Sequence, residues 1–352
     1  MRVLVTGGAG FIGASVAIGL VEAHPDWTVT AADNLRRRGS ELNLSRLRAA
    51  RVKFHHADVR VLDDLLSLGE FDTLLECSAE PSVLAGVGGG RDYVVQSNLV
   101  GAYNCLELAH RCSADIVFLS TSRVYPLRAL SALQFEETDT RLELADQQSV
   151  PGASAAGISE DFTLAGARTL YGATKLAAEL LISEYRESYG VRAVINRCGV
   201  VAGPWQMGKV DQGVFTYWML AHHFGRPLSY IGFGGRGKQV RDLLHVDDLL
   251  DLVDEQIRSP GDWDGLIVNV GGGRGCSLSL LETTALCEQI TGRRVDVGSV
   301  AETRPGDVPS YVSDCTRLFS LTDWRPRRDA LAVMRDIHVW IEENEADLQG
   351  VL

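Results

Sequence analysis

The 352-residue chain contains no C-x-x-C pair: its seven cysteines stand apart at Cys77, Cys105, Cys112, Cys198, Cys276, Cys287 and Cys315. Cysteines scattered in this way argue against both a zinc site and a disulfide framework. They suit small buried hydrophobes in a reducing cytoplasm, which is the expected location. No apolar run approaches the length of a membrane span. Strand-like residues begin at Arg2, so neither a basic leader nor a signal segment is expected. Positive charge is in deficit, with 34 Lys and Arg against 46 Asp and Glu, a net charge of −12. Nucleic acid and anionic membranes are therefore poor partners. Internal repeats and low-complexity tracts are absent as well. What remains is the composition of an ordinary globular protein, 45% apolar and 23% charged. The length suits one large domain or two interleaved ones.

Through the first half, strand signals alternate with helical ones. Short β-rich runs stand at 2–6, 28–32, 52–55, 73–76 and 116–119, with helical spacing at 10–23, 42–49, 61–68 and 93–111. Such alternation predicts parallel β-α-β units with right-handed crossovers, an α/β fold. A long helix from Tyr171 to about Ser188 leads into a strand at 192–197. Beyond it the pattern loosens, with Gly and Pro punctuation at 203–213 and 225–237, which suits a smaller second lobe. The expected division is a nucleotide-binding domain at 1–197 with a returning segment near 239–258, interleaved with a substrate lobe at 198–345. Segment 126–168 is long for a loop in a compact domain, and such loops are usually functional or disordered.

The chain opens on Arg2-Val-Leu-Val-Thr-Gly-Gly-Ala-Gly-Phe-Ile-Gly13. Gly7, Gly10 and Gly13 are spaced G-x-x-G-x-x-G, and Gly8, Gly10 and Gly13 also satisfy G-x-G-x-x-G. The run follows a strand and opens a helix, the context in which this motif holds a dinucleotide. Glycine lets the backbone turn tightly and approach a pyrophosphate, while the helix N-terminus at Phe11 and Ile12 offers free N–H groups and a positive dipole end. Asp33 closes the second strand 20 residues after Gly13, where a carboxylate accepts from both ribose hydroxyls and repels a 2′-phosphate. NAD is thus favoured over NADP, although Arg36, Arg37 and Arg38 follow directly. Asp58, with Val59 beyond the third strand, can accept from an adenine amino group.

Far downstream stands Tyr171-Gly-Ala-Thr-Lys175. A free phenol has a pKa of about 10 and needs help to act as a base near neutrality. A lysine ammonium ~4 Å away, at an effective dielectric of ~20, contributes roughly 4 kcal/mol. That lowers the phenol by ~3 units, less whatever solvent screens. At i and i+4 on one helix, Tyr171 and Lys175 share a face. Thr121, at the end of the fifth strand, can supply a hydroxyl to hold the reacting oxygen. Y-x-x-x-K alone is common, its plain alternative being a half-buried Tyr beside a solvated Lys. Together with the glycine cradle it points to an enzyme that oxidises or reduces an alcohol carbon.

These residues resemble the extended short-chain dehydrogenase/reductase family, the NAD-dependent epimerases and dehydratases of nucleotide sugars. The likeness rests on Thr6-Gly-Gly-Ala-Gly-Phe-Ile-Gly13, Asp33-Asn34-Leu35, Asp58-Val59, Asn98-Leu-Val-Gly101, Ser120-Thr121, Tyr171-Gly-Ala-Thr-Lys175 and Arg241-Asp-Leu-Leu-His-Val-Asp-Asp248, and covers roughly residues 1–345. It implies a Rossmann-type doubly wound parallel sheet with a smaller α+β substrate-binding lobe, and a homodimer formed through paired helices. By the same resemblance Asn98 lies beside the nicotinamide half of NAD, Lys175 holds its ribose, and Arg241 and Arg304 contact a substrate diphosphate. Family dehydratases place an Asp-Glu pair after the position of Thr121, whereas this chain has Ser122 and Arg123. Elimination of water then lacks an evident proton carrier. A basic residue at this point is similar to the CDP-paratose (CDP-tyvelose) 2-epimerase branch, as are Asp211-Gln-Gly213, Gly237-Lys-Gln-Val-Arg-Asp242 and Cys276-Ser-Leu-Ser-Leu-Leu-Glu282. The branch implies a CDP-sugar substrate. The chain departs from the family at Glu76, often His, at Tyr125-Pro126, often Tyr-Gly, and at Val200, where an asparagine is usual. Nucleotide-sugar 4-epimerases and a catalytically silent NAD-binding regulator share the same core motifs.

Paired histidines at His55-His56 and His222-His223 invite a metal reading, but each pair directs its rings apart and no third ligand lies near in sequence; no metal is expected. His245 reads as structural. The stretch 214–224, with Phe215, Trp218 and Met219, reads as core or a wall of the second lobe, and Gly271-Gly-Gly-Arg-Gly275 as a plain turn.

Overall fold

The computed structural model describes residues 1–208 and 212–351. Asp211 of the Asp-Gln-Gly motif lies outside them. The chain divides into two compact units. One comprises Met1–Val124, Leu170–Arg197 and Leu249–Ile267, the other Tyr125–Thr169, Cys198–Asp248 and Val268–Leu352.

The first unit is built on β1 (Arg2–Thr6), β2 (Thr28–Asp33), β3 (Lys53–His56), β4 (Thr73–Glu76), β5 (Asp115–Thr121) and β6 (Ala193–Cys198). A seventh strand, β7 (Ile267–Val270), opens on the unit's final residue, and the sheet runs in the order β7-β6-β5-β4-β1-β2-β3. Neighbours from β3 through β5 pair in parallel. The chain therefore winds outward in both directions from β1, the doubly wound order of a Rossmann-type sheet. Val3, Leu4 and Val5 are each at most 1% exposed, because helices cover both faces of a parallel sheet and strands there read as continuous apolar runs. Helix α1 (Phe11–Ala23) buries Ala14, Val16, Ala17 and Leu20, while Phe11 and Ile12 stay half-buried at its start. On the other side α2 (Gly101–Cys112) and α3 (Leu170–Tyr189) contribute Leu106, Leu108, Ala178 and Ile182 to a core shared with Leu4, Leu74 and Phe118. Each such fully buried Leu or Phe contributes about 1.5–3 kcal/mol.

Two expected elements differ in detail. The helical run expected at 93–111 is interrupted: an α-turn at Arg91–Val95 passes through a π-turn at Gln96–Val100 before α2 begins. A single π-turn inserts one residue into the helical register and often accompanies a functional side chain. Segment 126–168, expected to be a functional or disordered loop, instead carries a short helix at Leu127–Ser131 and two antiparallel hairpins, 135–137 with 142–144 and 153–154 with 157–158. Its order has a physical source, since Leu130, Ile158 and Phe162 are at most 2% exposed.

The second unit pairs Val200–Ala202 in parallel with Val240–His245, whose other partners are Ser277–Ser279, antiparallel, and Ser310–Tyr311, parallel. Helix Val214–Phe224 buries Phe215, Trp218 and Met219, so this stretch is core. Helix Leu280–Thr291 starts on a capping box in which Ser279 Oγ accepts from Glu282 N at 3.0 Å and Glu282 Oε2 accepts from Ser279 N at 2.9 Å. Arg141, from the 126–168 segment, forks onto Glu282 and donates to the carbonyl of Ser277 at 2.8 Å. The turn at Gly271-Gly272 is closely packed: a Cβ on Gly271 would meet Asp242 Oδ2 at 2.2 Å, and one on Gly272 the Leu243 carbonyl at 1.8 Å.

Among the described residues no helix is long and apolar enough to cross a membrane, and no group of three or more His, Cys, Asp or Glu could hold a metal ion. His55 and His56 are exposed, whereas His222 is buried with Nδ1 bonded to the Trp218 carbonyl at 2.8 Å. His245 is 2% exposed and accepts from Asp247 N at 3.1 Å.

Candidate active site

The opening glycines form a cradle whose close approaches leave no room for side chains. Gly7 has φ +64°, and a Cβ there would lie 2.8 Å from the Cys77 carbonyl oxygen. At Gly13 it would lie 2.2 Å from the Gly7 carbonyl, and at Gly10 3.1 Å from the same atom. Gly10 N donates to Gly7 O at 3.0 Å, closing the turn, and Gly10 caps α1 without any side-chain acceptor. The N–H groups of Phe11, Ile12 and Gly13 have no carbonyl one turn earlier in the helix, so they face the cradle as donors for an anion.

Asp33 at the end of β2 is fixed by the backbone, its Oδ2 accepting from Ala9 N at 3.1 Å and its Oδ1 from Leu35 N at 2.8 Å. Burial raises its carboxyl above the usual range, and these N–H bonds partly offset the rise. The lone pairs left over suit a ribose diol. A bare glycine turn, a donor-rich helix start and an anchored carboxylate together fit the pyrophosphate and ribose of NAD. Arg36, whose charge beside Asp33 left the phosphate preference open, places its guanidinium 4.0 Å over the Tyr93 ring. Asn34 donates to Asp58 Oδ2 at 3.1 Å, and Arg60 binds both oxygens of Asp58, with Nη2 at 2.6 Å. Arg60 holds the Asp58 carboxyl well below its ordinary range. An adenine amino group would share these oxygens with Arg60 and Asn34. Val59 is half-buried against α2, where a Cβ on Gly101 would lie 2.7 Å from its Cγ2.

Asn98 sits in the π-turn, 1% exposed. Its Oδ1 accepts from Glu80 N at 2.7 Å and its amide donates to Glu80 O at 3.2 Å, clamping the loop after β4. The same amide reaches Thr174 Oγ1 on α3 at 3.3 Å, so the loop, the π-turn and the Tyr171 helix are tied together.

Thr121 ends β5, 7% exposed, and its Oγ1 accepts from Arg123 N at 3.2 Å as the chain turns through Ser122–Val124. This turn lies against the start of α3: a Cβ on Gly172 would be 2.0 Å from the Arg123 carbonyl oxygen. Glycine at 172 thus lets the strand end bearing Thr121 approach the helix bearing Tyr171 and Lys175. Tyr171 and Arg123 are half-buried. Lys175 is nearly sealed, with Nζ 3.2 Å from Glu76 Oε2 and 4.3 Å from the centroid of Phe118. Burial pulls the Lys175 ammonium down, but the Glu76 carboxylate and then the Tyr171 phenol more than offset this, so it titrates above an ordinary lysine. Burial in turn raises the Glu76 carboxyl, with Lys175 opposing.

A second buried network supports the same wall. Ser120 Oγ donates to Glu179 Oε1 at 2.5 Å, and Arg197 Nη2 binds Glu179 Oε2 at 2.7 Å, the Arg and Glu side chains being 4% and 3% exposed. Sequence reasoning named Ser120 only as part of a motif and overlooked Glu179 and Arg197. The available signal was Glu179, four positions beyond Lys175 on the same helical face, and an arginine inside the apolar run Ala193–Cys198.

In the second unit, Arg241 and Arg304 are brought together around Asp307: Arg241 Nη2 stands 3.9 Å from its Oδ1 and Arg304 Nε 3.4 Å from its Oδ2. Arg241 also donates to the carbonyls of Val240 and Val308 at 2.7 and 2.8 Å.

A model of the NAD dependent epimerase/dehydratase family matches residues 3–271. The chain belongs to this family. It is therefore an NAD-dependent enzyme of the nucleotide-sugar epimerase and dehydratase group. CDP-paratose 2-epimerase from Salmonella typhi is 26% identical to it, the alignment covering 97% of this chain and 99% of that one. dTDP-glucose 4,6-dehydratase from Mycolicibacterium smegmatis is 30% identical over 98% of this chain and 95% of the other. Among solved structures, UDP-glucose 4-epimerase of Thermus thermophilus in complex with NAD superposes with a TM-score of 0.76 at 26% identity, covering 97% of this chain and 99% of that one.

Proposed function

We propose that this enzyme is a nucleotide-sugar epimerase acting at C2 of a CDP-activated deoxyhexose. The observation that carries the reading is the turn after Thr121. Ser122 and Arg123 stand where a dehydratase of this resemblance places its carboxylate pair, and the turn packs directly on Gly172, beside Tyr171. The full-length similarity to CDP-paratose 2-epimerase supports the same reading.

When bound in the cradle, NAD supplies a hydride acceptor and, on return, a hydride donor. Tyr171 as phenolate removes the proton of the sugar hydroxyl and later gives it back. Lys175 lowers the cost of that phenolate and reaches the nicotinamide ribose. Thr121 donates a hydrogen bond to the reacting oxygen. Asp33 accepts from the adenosine ribose, and the backbone at Gly7, Gly10, Phe11, Ile12 and Gly13 takes the pyrophosphate. Asn98 borders the nicotinamide half, and Asn34, Asp58 and Val59 border the adenine end. Arg241 and Arg304 take the substrate diphosphate and Arg123 lines the sugar, local cations that the net charge of −12 makes necessary. The 2-keto sugar presents its other face before the proton returns, so no net redox occurs and the cofactor need not leave. The protein is proposed to work in the cytoplasm as a homodimer, with Tyr103 of α2 and Leu180 of α3, 43% and 67% exposed, on the joining surface.

Incubation with C2-deuterated and C4-deuterated CDP-sugars tests the assignment. Label passing transiently from C2 to the cofactor supports it. Label from C4 would favour a 4-epimerase, and no reduction by any nucleotide sugar a silent binding protein. Tyr171→Phe should lower kcat by about 10²–10⁴-fold with NAD retained, the loss expected when general acid–base help is removed.

A further inference from the structure

The Tyr171/Lys175 pair is described by two residues, yet a third ionisable group faces it from another element. Glu76 ends β4, and its Oε2 lies 3.2 Å from Lys175 Nζ in a contact where the side chains are 2% and 3% exposed. The other groups facing that ammonium are the Tyr171 phenol on its own helix, Cys77 just after β4, Cys105 on α2 and the Phe118 ring on β5. Among these groups Glu76 supplies the one carboxylate, and its bond to Nζ is the hydrogen bond that orients the ammonium toward β4.

We propose that Glu76 is a positioning residue for the reaction, the buried counter-ion that aims Lys175 and holds its positive charge beside Tyr171. The inference rests on the reading of Tyr171 as the acid/base, and it follows from what burial does to a lone lysine. A fully buried lysine without a partner loses its proton up to about 3–5 pH units below normal, which reaches the working range of the enzyme. A neutral lysine gives the phenol no help, so the carboxylate on β4 acts at one remove on the proton carried by Tyr171. It also places a negative charge in the cofactor pocket that is cancelled locally, by a residue of the same pocket, rather than by solvent.

The test is an absorbance titration of tyrosinate near 295 nm on NAD-saturated protein, taken as the difference between each variant and the same variant carrying Tyr171→Phe. It needs no sugar, so its result stands apart from the label-transfer experiment: a C4 or silent outcome there leaves it intact, and its own failure leaves the epimerase reading untouched. In Glu76→Gln, the amide keeps the shape and the acceptor but not the charge, and the Tyr171 midpoint is expected to rise by about one pH unit or more, at least tenfold in its ionisation constant. Glu76→Asp retracts the charge and should give a smaller rise in the same direction. Should Glu76→Gln fail to fold, Glu76→Asp carries the test. In a Lys175→Gln background the Glu76→Gln change should move the midpoint no further, because the effect passes through the lysine. An unmoved or falling midpoint in either single variant, or an equal rise without Lys175, overturns the proposal.

Discussion

Replacing Gly172 by Ala adds one methyl group at the place where the Thr121 turn meets the Tyr171 helix. Two effects oppose each other. Alanine is about 1 kcal/mol better than glycine inside a helix, so propensity alone makes the variant more stable. The new Cβ, however, would lie 2.0 Å from the Arg123 carbonyl oxygen and 2.8 Å from its carbon, against ordinary contacts that begin at 3.4 Å. The turn and the helix must part by about 1.4 Å, the difference between the two distances. Both neighbours are backbone in regular elements, so no side chain can swing away to relieve the contact. Overpacking of this kind costs about 1–3 kcal/mol, which equals or exceeds the propensity gain. Catalysis suffers more, since a displacement of about 1 Å between reacting groups can cost about 10²-fold in rate. The cradle at Gly7–Gly13 is untouched, so NAD occupancy after gel filtration should match the unmodified protein while kcat on its nucleotide sugar falls about 100-fold. A Gly172→Ala enzyme with unchanged kcat would show that the close approach does not set the Thr121–Tyr171 geometry.

Asp33→Ala removes a carboxylate fixed by two backbone N–H groups, and NAD should bind about 10–100-fold more weakly, as expected when a hydrogen bond to a charged group worth about 1.5–3 kcal/mol is lost; equilibrium dialysis reads this directly. Asp242 is fully buried, and burial raises its carboxyl to about 6 from 3.8, so the folded protein holds a proton there that the unfolded chain releases. Its contribution to stability is complete below the unfolded value and is lost as pH rises through the folded one. At 1.36 kcal/mol per unit the loss between about pH 4 and 6 approaches ~3 kcal/mol. Asp242→Asn should flatten the Tm profile across that window, and an unchanged slope would mean that another group titrates there.

Much of the first unit could be read from the chain because its signals are local. Periodicity gave β1, β4 and the start of α3 to within a residue, and the G-x-x-G-x-x-G spacing marked the cradle because Gly10 and Gly13 are required by contacts with Gly7 only a few residues away. Long-range placement was not legible in the same way. Nothing in the local pattern says that Glu76 meets a lysine 99 positions later, or that Glu179 joins Ser120 to Arg197, since these depend on which strands become neighbours. The π-turn escaped because an apolar pattern over 93–111 is compatible with an inserted residue. Segment 126–168 looked unanchored for the same reason: its buried side chains are spaced irregularly, at Leu130, Ile158 and Phe162, and no repeat period reports them.

The π-turn at Gln96–Val100 has a consequence for how this region can change. A continuous helix forces every side chain to rotate together, so a substitution that turns one face by a fraction of a turn also swings the amide of Asn98 off the Glu80 backbone. One extra residue breaks that coupling. The portion after Gly101 can adjust its seat under β4 and β5 while Asn98 keeps hold of the loop it clamps. Residues of α2 are therefore expected to tolerate repacking better than their nearness to the pocket suggests, whereas deleting a single residue within 96–100 would close the bulge into regular helix and pull the Asn98 amide off the Glu80 backbone that it clamps.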